Sequence, residues 1–259
     1  MSARRSDATL AAARRLEELA LNASGAFQSL VYDGWLLGYR RGPTKRLRCV
    51  NPFYPSTLPL AEKIEHSARF YASIGLPAIF RLLPFSQPPE LDRLLERGGW
   101  ERFDHTQVLR AELDGVAPVP PPAGRVIVLQ LPEWELKAAP VLDVPADIVA
   151  QDVERARNYP LPQAGAIVEL DGQAVACGLV KVESDHAGLF AVSTAEGFRG
   201  RGFGRAIVAT LLGEAKRRGA RIAYLQVTTV NAAANALYER FGFAPAYDYW
   251  YRAREGEQR

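Results

Sequence analysis

From residue 7 to 22 the apolar residues Leu10, Ala13, Leu16, Leu19 and Ala20 recur at three- and four-residue steps, with Arg14, Arg15, Glu17 and Glu18 between them. Residues spaced this way share one face of a helix, so the pattern predicts an amphipathic helix. The run 27–39 is rich in Val, Leu, Tyr and Trp around Asp33-Gly34, and 46–50 follows the turn residues Gly42-Pro43. Two or three antiparallel strands are expected there. A second helix is predicted over 60–73, stopping at Gly75, then a buried strand over 78–83 closed by Pro84 and Pro88-Pro89. A short helix over 90–96 stops at Gly98-Gly99, and a strand covers 106–109.

Residues 116–124 contain Pro118, Pro120, Pro121 and Pro122, which lack N–H donors and fit neither helix nor central strand. The pattern then restarts. A strand over 126–129 and helical material over 148–157 precede strands 165–170 and 174–182, joined by the hairpin dipeptide Asp171-Gly172. Strand 188–193, helix 204–218, strand 222–228, helix 232–240 and strand 247–252 complete a mixed α/β order with a hairpin core. An internal comparison aligns Leu94-Leu95-Glu96-Arg97-Gly98-Gly99-Trp100 with Leu237-Tyr238-Glu239-Arg240-Phe241-Gly242-Phe243, and Gly75 with Gly219 after a one-residue gap. Two diverged copies of one unit are therefore expected, over 1–115 and 125–259, with 116–124 as linker; chance similarity of helix ends is the alternative, since glycine commonly closes helices.

Composition adds exclusions. A length of 259 residues, 48% hydrophobic and 24% charged, is that of an ordinary globular protein with room for two cores. The formal charge is +3, with 16 Lys/Arg against 13 Asp/Glu in 1–115 and 16 against 16 in 116–259, too thin a surplus for a nucleic-acid or membrane-surface footprint. Cys49 and Cys177 form no CxxC pair and have no His-rich companion, so neither metal nor redox chemistry is expected. The chain starts in a charged amphipathic pattern and has no run of 18 apolar residues, which makes the cytoplasm the expected location. A homodimer is compatible with these features.

The candidate chemistry lies in Arg199-Gly200-Arg201-Gly202-Phe203-Gly204, between the apolar strand 189–192 and an amphipathic helix. Missing side chains let backbone N–H groups approach a ligand, and a helix start supplies free donors and a favourable dipole for an anion. A diphosphate is the natural occupant. The spacing is GxGxG where a dinucleotide fingerprint needs GxGxxG, and the next strand ends in Gln226-Val227-Thr228 without the acidic residue. Gly204-Arg205-Ala206 also lacks the Gly-Lys-Ser/Thr of a Walker loop.

Arg199, Gly202 and Gly204 match the Arg/Gln-x-x-Gly-x-Gly/Ala loop of the GNAT acetyltransferase superfamily, which the chain resembles over roughly 165–252. The segment from Asn231 to Phe243, with Tyr238, Gly242 and Phe243, is similar to that superfamily's downstream Asn-x-x-Ala-x-x-x-Tyr-x-x-x-Gly-Phe, with some slack in spacing. The resemblance implies two GNAT-like lobes, each a mixed, mostly antiparallel sheet flanked by helices, the first degenerate. It implies acetyl-CoA as acyl donor and no metal. Backbone amides of Arg199, Gly200, Arg201, Gly202, Phe203, Gly204 and Arg205 would hold the pyrophosphate, main-chain groups of Val192, Ser193 and Thr194 would orient the pantetheine arm and polarise the acetyl carbonyl, and Asn231 would touch the cofactor.

Tyr238 would protonate the departing thiolate, a match in acidity for a phenol. Read without the resemblance, Tyr238 is a core aromatic and Asn231 a helix N-cap. For the general base, His186 has the most suitable ordinary pKa, with Asp185 and Glu183 as rivals, although a polar turn often leaves a histidine simply solvated. The first lobe carries no glycine loop before the helix at 60, only 51–59 with Pro52, Pro55 and Pro59. It is expected to wall an acceptor site through Trp35, Arg46 and Asn51, unless Trp35 and Phe53 are core. The resulting expectation is direct acetyl transfer to a primary amine of a small molecule or peptide through a ternary complex; the rival is a non-catalytic acyl-CoA-binding sensor or regulatory protein.

Overall fold

The computed structural model describes residues 7–24, 28–42 and 44–257; Phe27, Pro43 and the chain's first six residues, used above, lie outside them. In chain order the elements are α1 (Asp7–Ser24), β1 (Ser29–Tyr32), β2 (Trp35–Gly38), β3 (Val50–Pro52), α2 (Leu60–Ser73), β4 (Phe80–Leu82), α3 (Leu91–Arg97) and β5 (Glu101–Glu112). There follow β6 (Arg125–Leu129), α4 (Leu131–Leu142), α5 (Ala146–Arg157), β7 (Gln163–Leu170), β8 (Gln173–Glu183), β9 (His186–Thr194), α6 (Phe203–Arg217), β10 (Ile222–Thr228), α7 (Ala232–Glu239) and β11 (Ala244–Ala253). The fold is mixed α/β.

Two compact units arise, one of residues 1–108 with 246–259, the other of 109–245. The division therefore corrects the expected linker at 116–124. Leu109, Ala111 and Leu113 are buried in the second unit's core, and Leu113 N donates to Arg221 O at 2.8 Å. The last strand belongs to the first unit, because Trp250, Tyr251 and Arg252 of β11 pair antiparallel with Leu82, Arg81 and Phe80 of β4.

In the first unit β1, β2 and β3 are antiparallel neighbours, β3 meets β4 in parallel at Val50 and Phe80, and β11 follows. α2 and α3 cover a core of Trp35, Tyr71, Phe80, Leu91, Leu95 and Trp100. Arg81 is fully buried, with Nη1 and Nη2 donating to the Glu17 carboxylate at 2.6 and 2.9 Å, while Tyr247 Oη donates to Glu17 Oε1 at 2.5 Å.

In the second unit β6, β7, β8 and β9 form an antiparallel run, and β9 pairs in parallel with β10. The helix α4 has no counterpart in the expected elements; Pro132 falls in its first turn, where a proline is tolerated, and Pro140 lies inside it. Its Trp134 is buried over Gly165, where a Cβ would land on the indole, and Trp134 Nε1 donates to Ala166 O at 3.1 Å.

The paired sequence segments end their helices in the same way. Gly99 and Gly242 take φ of +76° and +77°, with Trp100 N donating to Leu95 O and Phe243 N to Tyr238 O. Gly75 and Gly219 also have positive φ, followed by Leu76 N to Tyr71 O and Ala220 N to Ala215 O. These are left-handed helix closures that glycine adopts without a Cβ penalty.

Candidate functional site

β9 and β10 run together only at their starts. Their parallel register joins His186, Ala187 and Gly188 to Ile222, Ala223 and Tyr224, and no register pair follows among the described residues, so the strands part. On its other side β9 stays paired with β8, but the register slips: Phe190 faces Leu179 and Ser193 faces Cys177, leaving Ala191 and Val192 together opposite Gly178. This is a bulge, which bends the strand and re-aims its backbone; Ala191 accordingly takes φ +51°. Gly178 makes it possible, since a Cβ there would stand 2.8 Å from Ile207 Cγ2 and 3.2 Å from Val192 Cγ2. From Leu189 to Thr194, β9 thus presents one edge without a partner strand among the described residues.

The chain leaves β9 through a 3₁₀ turn at Glu196–Phe198, and Arg199 Nε reaches back to Thr194 O at 3.2 Å. Gly200 and Gly202 take φ of +72° and +91°, and nothing lies within 4 Å of where their Cβ atoms would stand. Phe203 opens α6 buried, edge-on to Phe198 at 5.8 Å, and so anchors the helix start in the core. Arg199 N is bonded to Glu196 O and Arg205 N to Gly202 O, whereas the N–H groups of Gly200, Arg201, Gly202, Phe203 and Gly204 meet no backbone acceptor among the described residues. Free donors at a helix start form an anion site.

The facing wall is α7. Asn231 caps it, Oδ1 accepting from Ala234 N at 3.1 Å, and Asn235 Nδ2 donates to Thr228 O and Asn231 O at 3.3 and 3.0 Å, fixing the helix to the end of β10. Tyr238 packs edge-on to Phe243 at 5.8 Å, and burial pushes its phenol up to about 12. Between loop and wall lies a groove of about 700 Å³. Val192, Ser193, Thr194, Arg199, Gly200, Gly202, Gly204, Arg205, Asn231 and Tyr238 line it, joined by Ala233, Ala234, Ala236, Leu237 and Arg240. Among the described residues three guanidiniums and no carboxylate line the groove, so its electrostatics favour an anion.

A family model described as "Probable histone acetyltransferase Rv0428c C-terminal" matches residues 10–252. The chain belongs to the GNAT N-acetyltransferases. This GNAT chain is 28% identical over 249 residues to the uncharacterized N-acetyltransferase YobR of Bacillus subtilis, covering 93% of the chain and 98% of that protein. It is 36% identical over 93 residues to the Escherichia coli [Ribosomal protein bS18]-alanine N-acetyltransferase, which is 36% of the chain and 58% of that enzyme. A solved GCN5-related N-acetyltransferase from Kribbella flavida shares its fold, with a TM-score of 0.68 at 19% identity over 94% of this chain and 96% of that one.

For this GNAT the donor set suits an acyl-CoA: five free N–H groups for a diphosphate, a cationic rim, and a groove within the roughly 300–1,000 Å³ usual for small-molecule sites. Among the expected cofactor residues, Arg201 and Phe203 contribute no side chain to the groove. Arg201 lies over the Phe198 and Phe203 rings at 5.4 and 5.6 Å, and Phe203 is core. Asn231 is both an N-cap and part of the lining. Arg240 lines the groove without having been expected in it, Gly178 and Asn235 shape its walls from behind, and a β-bulge leaves no mark in a single sequence.

Other expectations are corrected. His186 begins β9, six residues and roughly 20 Å of strand before Val192. It pairs with Glu183 across the β8–β9 turn, and its Nδ1 lies 2.7 Å from Asp185 Oδ1. That bond holds the Asp185 carboxyl below its ordinary range. All three base candidates thus sit at the opposite end of β9 from the groove. In the first unit Trp35 is fully buried with Nε1 donating to Gln87 O at 2.9 Å, and Asn51 is buried with Nδ2 directed to Cys49 O. Neither has surface to offer a substrate. Arg46 is half-buried, its Nε donating to Ser24 Oγ at 3.1 Å. Among the described residues no His, Cys, Asp and Glu side chains group as metal ligands, and no helix is long and apolar enough to cross a membrane.

Proposed function

We propose that the chain is an acetyl-CoA-dependent N-acetyltransferase that moves the acetyl group directly to a primary amine while both substrates are bound. The observation that carries this is the row of free N–H groups from Gly200 to Gly204 beneath the splayed edge of β9, with Tyr238 on the opposite wall. When bound, acetyl-CoA supplies a thioester whose carbonyl carbon accepts the amine and whose sulfur leaves.

The chain's residues do the rest. The N–H groups of the glycine loop and Arg199 and Arg205 bind the diphosphate, and the helix dipole of α6 adds to their attraction. The main chain of Val192 to Thr194, on the edge of β9 that β10 leaves, holds the acyl arm in line, and an N–H there polarises the carbonyl, worth about 3–4 kcal/mol in comparable oxyanion sites. Tyr238 keeps its proton at Oη and delivers it to sulfur. With no acid or imidazole in the groove lining, the ammonium proton of the acceptor leaves through water.

The family's histone acetyltransferase description and the ribosomal-protein relative favour a peptide or protein amine as acceptor over a free small molecule. The first unit is a degenerate copy of the second, a reading supported by the matched helix closures at Gly75 and Gly219 and at Gly99 and Gly242. Incubation with acetyl-CoA and a panel of peptide amines tests this reading, with free thiol measured; binding of CoA without turnover on any amine would instead favour the acyl-CoA sensor.

A further inference from the structure

The loop before α2 in the first unit occupies the chain position that the glycine loop holds before α6, yet its donors are not free. Asp33, at the turn between β1 and β2, inserts its carboxylate among them. Thr57 N donates to Oδ1 and Oδ2 at 3.0 Å each, Thr57 Oγ1 to Oδ1 at 2.7 Å, and Leu58 N to Oδ2 at 2.9 Å. Beneath it the Lys63 side chain is fully buried, its Nζ 3.1 Å from Asp33 Oδ2, bonded to Asp33 O at 2.5 Å and to Ser56 Oγ, and 4.0 Å from the centre of the Trp35 ring. Tyr54 N donates to Gly34 O at 3.0 Å, and a Cβ on Gly34 would strike the Pro55 carbonyl, so the loop is wrapped tightly around the Asp33-Gly34 turn.

We propose that the first unit contains an oxyanion site occupied by its own Asp33 carboxylate, with Lys63 as the built-in counter-charge, and that vacating Asp33 makes this unit bind small oxyanions such as acetate or inorganic phosphate. Two backbone N–H groups, a hydroxyl and a buried ammonium converge on one carboxylate, which is the donor set a free anion would need. The Leu58 N–H, then the Thr57 hydroxyl and N–H, hold the Asp33 carboxyl well below the usual carboxylate range, while burial lowers Lys63 and Asp33 opposes that. A buried ammonium deprived of its partner is costly, and an external anion removes that cost. The inference stands whether or not the second unit transfers acetyl groups.

The test is chemical rescue in the full-length chain. Asp33 has φ +41°, so Asp33→Gly removes the carboxylate without backbone strain. Its melting temperature is expected to fall below the wild type's and to rise by several degrees in millimolar acetate or phosphate, beyond the effect of sodium chloride at equal ionic strength. Wild type should show no such excess, and adding Lys63→Met should abolish it. An Asp33→Gly protein that responds to acetate and phosphate no more than wild type would overturn the proposal. Should Asp33→Gly fail to fold, Asp33→Asn decides: lower stability with partial anion rescue supports the proposal, and wild-type stability contradicts it, because a neutral amide would then serve as well as an anion.

Discussion

Gly178 lies directly opposite the bulged residue Val192, and a Cβ on Gly178 would come within 3.2 Å of Val192 Cγ2 and 2.9 Å of Leu211 Cδ1. The absent side chain lets α6 lie close on β8 and lets β9 bulge toward the groove. Gly178→Ala should therefore destabilise by about 1–3 kcal/mol through overpacking, and weaken CoA binding by displacing both bulge and loop. Gly213→Ala, on the same helix with nothing within 4 Å of its Cβ position, should leave binding unchanged and gain up to about 1 kcal/mol of stability. Thermal melting and equilibrium titration with CoA read both effects; equal behaviour of the two variants would sink the argument.

Gly202, at φ +91°, is the N-cap of α6. Alanine there costs about 1–2 kcal/mol for the left-handed backbone. Its relaxation turns the loop's N–H groups away from the diphosphate. CoA affinity should fall at least about tenfold, a loss of roughly 1.4 kcal/mol, and calorimetry would show it directly. Unchanged affinity would mean the loop donors are not what holds the ligand.

Tyr238→Phe keeps the edge-on contact with Phe243 and removes one oxygen. CoA binding should hold within a few-fold, while turnover falls by about 10²–10⁴, the range for loss of a general acid. With its pKa raised to about 12 by burial, Tyr238 remains a donor throughout the working range, so no alkaline loss of kcat below pH 10 should trace to it. The sign for stability follows: the folded pKa lies above the unfolded value near 10, so this group's contribution is fully present below about pH 10 and is lost as pH rises through about 12. A melting series comparing wild type with Tyr238→Phe between pH 8 and 11 reads this contribution.

Glu17 and Arg81 make a buried ion pair completed by Tyr247. Removing one charge alone, as in Glu17→Gln, should cost about 3–5 kcal/mol, whereas Glu17→Gln with Arg81→Met should recover much of it. Urea unfolding of the two single variants and the double variant forms the cycle, and additive losses would contradict the pairing.

The glycine turn before α6 and the Asn231 cap of α7 are legible in the sequence because loop geometry and helix caps are local, written in residue type and spacing. The hairpin at Asp171-Gly172 is legible for the same reason. α4 is not, because the interior Pro140 disrupts a helical pattern that Trp134 holds in place by packing over Gly165. His186, expected as the base, is set apart from the groove by the length of β9, and distance along a strand is visible only once the register is known. Trp35 and Phe53 are buried, as the core alternative for these aromatics has it, and Asn51, expected at an acceptor wall, is buried with them because β2 and β3 lie in the first unit's core. The prolines of 116–124 mark an irregular segment, but only packing shows that Val116 and Ala123 lie against the second unit's core.

Transfer of an acetyl group from acetyl-CoA, through the groove between the glycine loop and α7, is the central claim, and a peptide-amine panel assayed for free CoA thiol tests it most directly. Wild type should release thiol only with an accepted amine present, Tyr238→Phe should bind CoA and release little, and Gly202→Ala should lose binding itself. Absence of any CoA binding by the wild-type chain would contradict the account.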